Sequence, residues 1–492
     1  MTVAYYPVLG DYLTANRTAT PEYDDVPLEL LEGALPPDLV GTLLRNGNGR
    51  FEHHGVRYEH LFDGDGMVSR FHFDGQRVYY RNRHVRTTEY VAEEQAGRML
   101  YRSFGTNLPG GLRANFLRTK FKNTANTSLI QHGDHLLALW EGGLPHRLDP
   151  ETLESLGRFD YEGVLRNSFS WLDRRISPEM PFSAHPKIHP VTGVLHNFGI
   201  VAGARHRLVL YEVSPSGQAQ LAHVLPLPAA TFAHDFVLTR SGHRIFMLTP
   251  VAFNVLRAVT GLASPAASLQ VNRQQPTQFV VVGPTGTVHY LPTDFGFVFH
   301  FINGYQVEDG TFVVDALLLN EYPGPRELQA YLTGRVPDNL PQAQFVRFHL
   351  NINEGRVDWH RLSAAQAELP VVHPAREGLS YRYTWAIGRP PGQARPLLDH
   401  VLKLDVQTGL VCYAYEPGTV SSEPIFVPHL QTADNASLQE DDGYLIYLRF
   451  AAASATTDLV IADAADLRTL ARLRLPGNIP LGFHGVWLPG EK

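Results

Sequence analysis

Short apolar runs of alternating pattern, broken by polar turn pairs such as Asp74-Gly75, Asp309-Gly310 and Asp442-Gly443, dominate the chain. One unit recurs: a strand pattern, a short polar turn and a second strand pattern. Its copies are VSRFHFDGQRVYY from Val68, HRLDPETLESLGRF from His146, YEVSPSGQAQLAHV from Tyr211 and VVVGPTGTVHYL from Val280. They continue with RFHLNINEGRVDWHRL from Arg347, LKLDVQTGLVCYAY from Leu402 and VIADAADLRTLARLRL from Val460. Seven similar hairpins, starting 55 to 78 residues apart, predict an all-β seven-bladed propeller. The physical reason is that a four-stranded blade needs neighbours to cover its faces. A bare blade takes about 40–45 residues, so the excess is expected in loops gathered on one functional face. A large β-sandwich or two tandem β domains is the competing arrangement. No Pro/Ser/Gly-rich linker divides residues 1–492, which favours a single domain.

A further hairpin precedes many of these units. NTSLIQHGDHLLALWE begins near Thr127, AHPKIHPVTGVLHNFGI near His185, AHDFVLTRSGHRIFML near His234 and FHFINGYQVEDGTFVVDAL near His300; GFHGVWLP around His484 is a single strand. In a propeller the first strand of each blade lines the central channel, so equivalent starts form a ring. Four of these starts are His185, His234, His300 and His484, which gives distant residues a reason to converge.

The chain has 23 histidines, so one taken alone is expected to be structural. His53, His54, His132, His135, His196 and His243 fall in turns or outer strands and are read that way. An all-imidazole site suits Fe(II), Zn(II), Cu(II) or Ni(II). Four nitrogens around an octahedral ion leave two positions open. A structural zinc site would close at four ligands and usually recruits cysteine, and Cys412 is the sole cysteine. Metal-bound imidazoles also need an acceptor for the second N–H, often a carboxylate. Glu141, Glu368 and Glu423 stand in apolar contexts, where an unpaired carboxylate is costly. A salt bridge with arginine is the other reading of each, and spacing does not separate the two.

A net charge of -7 gives no basic footprint for nucleic acid. One cysteine fits a reducing compartment. The start MTVAYYPVLGDYL lacks a basic run before an apolar stretch. No run approaches the roughly 20 apolar residues of a membrane span. A cytoplasmic protein, with peripheral membrane contact at most, is expected.

Several motifs in order make the chain resemble the carotenoid cleavage oxygenase family, nearest its bacterial apocarotenoid-cleaving branch. They are HLFDGDGMVSRFHF from His60, KNTANTSL from Lys122, LLALWEGG from Leu136, FSAHPKIHPVTG from Phe182 and FAHDFVLT from Phe232. FVFHFING from Phe297, SSEPIFVP from Ser421, EDDGYLIYL from Glu440 and GFHGVWLP from Gly482 complete the set. The resemblance implies a seven-bladed propeller with a helical cap over the metal face. It implies one Fe(II) per chain on His185, His234, His300 and His484, with Glu141, Glu368 and Glu423 behind the ligands. It places a small residue, Thr127, at the open coordination position. Within FDGDGM, Gly64 and Gly66 are expected to supply positive φ in a turn beside two aspartates.

The implied reaction splits an apocarotenoid C=C bond with O₂ into two carbonyl products, in an apolar tunnel near Trp140, Phe232 and Phe299. The runner-up is the same chemistry on a stilbene or phenylpropene. Stilbene cleavers pair a Tyr and a Lys on a phenol, and Tyr90 and Lys122 lie in the matching part of the chain. Lys122 is weak support because KNTANT also occurs in apocarotenoid cleavers, and Tyr90 is read first as an exposed loop residue. A propeller that binds a lipid or protein partner, with structural histidines, is the non-enzymatic reading.

Two stretches suit a membrane surface. Residues 251–263, VAFNVLRAVTGLA, form as a helix one apolar body with a narrow polar stripe of Asn254, Arg257 and Gly261. Residues 111–122, GLRANFLRTKFK, mix large apolar with basic side chains. Ordinary cap packing is the alternative for both.

Overall fold

All seven recurring hairpins form the third and fourth strands of successive β-sheets in the computed structural model. The structure describes residues 4–5, 15–19, 21–118, 120–201, 206–227, 231–294, 296–324, 327–329, 332, 335–336, 341–392, 398–429 and 439–490. Three blades are separate four-stranded sheets built by strands within residues 128–158, 187–226 and 237–293. The next two share the long Arg356–Val372 strand, which ends the fifth blade and begins the sixth, giving one seven-stranded sheet. The last blade runs from Thr419–Ser421 to Thr469–Arg474 and carries the Glu29–Gly33 strand on its outer edge. The first blade takes its innermost strand from the other end of the sequence: Gly485–Pro489 pairs antiparallel with Val40–Arg50. That pairing closes the ring.

Burial on both faces of each blade explains why the blades stack. Along His135–Leu139, Leu137 and Leu139 pack against the third blade, with Leu195, Val209 and Tyr211. Leu136 and Ala138 point the other way, to Leu44 and Val68 of the first blade. Along Arg244–Leu248, Phe246 and Leu248 face the third blade, while Ile245 and Met247 face the fifth. The period of two puts successive side chains on opposite faces, so each of these second strands is apolar after its first residue and serves two seams. Seven buried clusters fill the seven seams, the first-to-seventh seam included.

The excess sequence lies at one end. Each first strand starts at the histidine end, so antiparallel alternation returns every second-to-third and fourth-to-next connection there. Residues 85–127 carry the helices Thr88–Ala96 and Gly111–Asn115, residues 159–186 carry Trp171–Ile176, and residues 249–276 carry Val255–Thr260. These segments form the cap.

Two expectations change. Residues 251–263 are not one helix: Val251–Phe253 is a strand and only Val255–Thr260 is helical. Asn254 and Gly261 are its ends rather than part of a polar stripe. The Asn254 side chain accepts from the Arg257 amide, and Gly261 ends the helix at φ 76°. Gly64 and Gly66 are absent from the positive-φ residues. Close approach demands glycine there: a Cβ on Gly66 would meet the Ala125 carbonyl oxygen at 2.3 Å, and one on Gly64 the Arg50 oxygen at 2.6 Å. The neighbouring aspartates are buried anchors rather than turn residues. Asp63 accepts from the Thr106 hydroxyl at 2.5 Å, and Asp65 lies 2.6 Å from Lys122 Nζ.

Candidate metal centre

Each inner strand begins on the channel axis, and the residue there differs from blade to blade. His484 precedes the Gly485–Pro489 strand, Thr127 precedes Ser128–His132, His185 lies two residues before Lys187–Ile188, and His234 lies three before Val237–Leu238. His300 stands inside Phe297–Glu308, at a register break between Val298 and Phe301 that turns its ring inward. Glu368 and Glu423 hold the corresponding places in the sixth and seventh blades.

The four histidines converge. Ring centroids of neighbouring pairs lie between 4.4 and 5.3 Å apart. One nitrogen from each falls within 4.8 Å of the other three. Three of the rings are held from behind. His300 Nδ1 is 2.6 Å from Glu368, His484 Nδ1 is 2.8 Å from Glu423, and His234 Nδ1 is 3.2 Å from Glu141. A carboxylate accepts only, so each of these Nδ1 atoms carries the proton and each Nε2 is left with a lone pair. Among the described residues no carboxylate pairs with the His185 ring; its backbone amide donates to Ser183 Oγ.

The inward-facing nitrogens fit a cation. His185 Nε2 and His234 Nε2 face each other at 2.9 Å, and His300 Nε2 is buried with no hydrogen-bond partner. Converging lone pairs repel unless a positive charge lies between them. Burial, then the neighbouring rings, hold His185 well below the usual histidine pKa, so it stays neutral and able to ligate. Burial also lowers His484, against Glu423. Burial opposes a charge on His300, but Glu368, joined by Asp235 and Glu423, outweighs it and raises the pKa. That added basicity strengthens a nitrogen donor.

The backbone around the carboxylates is shaped for aim. Leu369, directly after Glu368, has φ 56° and sits at a register break in the shared strand. A non-glycine residue there stores strain, which the surrounding sheet must hold. Glu423 is fixed twice: Oε1 faces His484 and Oε2 accepts the Gly485 amide at 2.9 Å. Buried Arg45 donates to the Glu423 and Phe483 carbonyls, gripping both sides of that contact.

Aromatic rings cover one side of the cluster. Phe232 stacks on His234 at 6.4 Å, and Phe299 meets the same ring edge-on at 5.6 Å. Phe297 and Tyr322 continue from Phe232, while Phe62 joins Phe299 to Phe483. Trp140 immediately precedes Glu141 and is half-buried against Gly142 and Gly143.

Residues 16–489 match the family model for the retinal pigment epithelial membrane protein, RPE65. Apocarotenoid-15,15'-oxygenase of Synechocystis is 34% identical over 97% of this chain and 96% of its own length. Isoeugenol monooxygenase of Pseudomonas nitroreducens is 27% identical over 93% of this chain and 94% of its own. The crystal structure of cobalt-substituted Synechocystis ACO superposes with a TM-score of 0.88 at 33% identity, covering 99% of this chain and 100% of that one. The chain belongs to the RPE65/carotenoid oxygenase family. As a carotenoid oxygenase it is a seven-bladed propeller enzyme of the dioxygenase type, and its four-histidine group fits iron.

Within this carotenoid oxygenase, Tyr90 and Lys122 are occupied by the protein itself. Tyr90 is not an exposed loop residue. It lies on the Thr88–Ala96 helix, buried under the Arg50 guanidinium at 4.2 Å and stacked on His84. Lys122 is fully buried, 2.6 Å from Asp65, 2.7 Å from Glu93 and 2.9 Å from the Tyr58 hydroxyl. Burial opposes its charge, but Asp65, Tyr58 and Glu93 together outweigh it and raise the pKa. A phenol would have to displace these partners. Phe62, Phe297, Phe483, Tyr322 and Arg45 were not legible as site residues. Phe483 adjoins a ligand and Phe297 lies two residues from Phe299, so adjacency was the available signal; Arg45 offered none.

Proposed function

We propose that this enzyme cleaves one C=C bond of an apocarotenoid with O₂, giving two aldehyde or ketone products, with Fe(II) on His185, His234, His300 and His484. The observation that carries the reading is the inward convergence of four imidazoles, three backed by Glu141, Glu368 and Glu423. Bound Fe(II) supplies the redox chemistry by which O₂ is used. The chain's own groups do the rest. The glutamates fix tautomer and ring direction. Thr127, in the second-blade place that histidine takes elsewhere, leaves room for a small molecule where a fifth imidazole would stand. Phe232 and Phe299 offer apolar faces to a conjugated chain, and Trp140 lies on the approach. No side chain is needed as acid or base: the alkene carbons each take one oxygen atom, so atoms balance without proton transfer. Since strands from both ends close the ring, one domain carries the whole reaction.

The stretches 111–122 and 251–263, each exposed in part, belong to the same reading. They pack together, the Leu117 amide donating to the Val259 carbonyl at 2.8 Å. Leu112, Phe116, Leu117, Leu256 and Leu262 are more than half exposed on them, and Arg113, Arg118 and Lys120 are exposed alongside. Thr119 lies outside the described residues. An apolar patch with a basic rim at the cap suits an anionic lipid surface, where an apolar substrate resides. No helix among the described residues is long and apolar enough to cross a membrane.

Product analysis tests the substrate class. β-Apocarotenals should yield two carbonyl fragments and resveratrol none, given the engaged Tyr90 and Lys122. Cleavage of resveratrol alone would move the enzyme to the stilbene class, to which a 27%-identical relative, resveratrol cleavage oxygenase 1 of Aspergillus fumigatus, belongs by name.

A further inference from the structure

Asp235 directly follows His234, and its side chain is almost wholly buried. Its two oxygens reach three strands. Oδ1 accepts the Phe236 amide at 2.8 Å and lies 3.0 Å from Lys187 Nζ, two residues beyond His185. Oδ2 accepts the Phe301 amide at 3.0 Å, one residue beyond His300. The Phe301 contact falls where the Phe297–Glu308 strand breaks register with its neighbour. A buried amide at such a break needs an acceptor from elsewhere, and Asp235 supplies it. The bulge aims His300; the bond at Phe301 holds the bulge.

Blades three, four and five meet chiefly through apolar seams, with a few polar contacts along them, among them Arg244 with Glu212 at 3.0 Å and His189 with the Arg240 carbonyl at 3.1 Å. Hydrophobic contact is non-directional, so it sets the distance between blades better than the angle of a ring. A metal site needs ring nitrogens placed far more closely than that. One carboxylate that reaches Phe236, Lys187 and Phe301 supplies directional contacts within two residues of all three histidines. It also pairs with the Lys187 ammonium, two residues from His185.

We propose that Asp235 is a positioning residue that registers the strands carrying His185, His234 and His300 against one another; this rests on the metal-centre reading above. The test uses the full-length protein, stripped of metal and titrated with Co(II) against a chelator, followed by its visible absorption at saturation. Asp235→Asn keeps the shape but replaces one acceptor with an NH₂ group, so either Phe301 or Lys187 loses its partner. Metal affinity is expected to fall about 10–100-fold, the usual effect of losing a supporting partner. The absorption bands at saturation should shift, which a mere loss of folded protein would not cause, because the remaining folded fraction would keep native bands at lower amplitude. Native affinity with unshifted bands in folded Asp235→Asn overturns the proposal. Should that variant not fold, Lys187→Met severs only the contact to the His185 strand. Shifted bands then support the assignment and unshifted ones overturn it. A wild-type protein that binds no Co(II) defeats the metal-centre reading itself, a distinct result.

Discussion

An imidazole ligates well only when its far nitrogen is held, and three of the four rings here are held by carboxylates on other strands. Replacing Glu423 with Gln leaves an acceptor for His484 Nδ1 but removes the charge and one of two acceptors, so the Gly485 amide or the ring loses its bond. Iron affinity or activity should drop about 10–100-fold; unchanged values in the Gln variants of Glu141, Glu368 and Glu423 alike would show that these carboxylates do not support the ligands. His234→Ala should lose metal and activity together. His243→Ala is the control, because His243 packs edge-on against Phe312 in a turn away from the cluster; metal content should not change, and a loss there would make the assay uninformative about His234. Gly66→Ala tests a different residue-level reading. Its φ is ordinary, so a purely conformational account predicts no cost. The 2.3 Å approach to the Ala125 oxygen predicts destabilisation by about 1–3 kcal/mol, the usual range for overpacking. An unchanged melting temperature removes that account. The convergence of the four histidines was legible because repetition made their places equivalent. The role of Gly66 was not, since glycine at positive φ and glycine at close approach are the same letter.

At the scale of elements, hairpins were easier to read than connections. A strand pair declares itself by alternation and a turn. The cap segments instead take their shape from each other: the Gly111–Asn115 helix and the 251–263 stretch pack together, and Arg102 donates to the carbonyls of Ala258 and Ala263 between them. Tertiary contact of this kind overrides a helical pattern, which is why a 13-residue apolar run became a strand, a cap and a short helix. The same packing leaves the large apolar side chains outward. Each basic group near an anionic bilayer contributes roughly 1 kcal/mol, and full burial of Phe116, Leu117 or Leu256 adds about 1.5–3 kcal/mol each. Reversible docking follows. The protein should sediment in part with anionic liposomes at low salt and be released as salt rises. Charge reversal at Arg113 and Arg118 should weaken sedimentation more than reversal at Lys120, which is already paired with Glu89 at 3.0 Å. Cleavage of detergent-dispersed substrate should be unaffected in all three. Absence of any liposome binding at low salt rules the docking surface out.

At the scale of the whole molecule, the ring is closed by the strand that follows His484, one of the four converging histidines. Gly485–Pro489 pairs with residues 41–45, and His484 starts it, so the fourth ligand is delivered by the closure itself. The other three come from adjacent blades, three, four and five, and share the Asp235 carboxylate. A metal on all four therefore ties the closing strand to the far side of the channel, across blades that share no seam with it. Any ligand that binds only the folded state stabilises it by mass action, about 2.7 kcal/mol when its concentration is 100 times Kd. Here that stabilisation should concentrate at the closure, because blades three to five are already locked by two seams and a carboxylate. The prediction is read by amide hydrogen exchange. In the wild-type protein, metal should slow exchange in residues 485–489 and in their partners 41–45 more than in the inner strands of blades three to five. In His484→Ala, metal held by the remaining histidines should leave exchange in 485–489 unchanged. Equal protection of those residues with and without metal in the wild type would mean that ring closure and metal binding are independent, and that His484 is carried by a strand already fully secured by its pairing with Val40–Arg50.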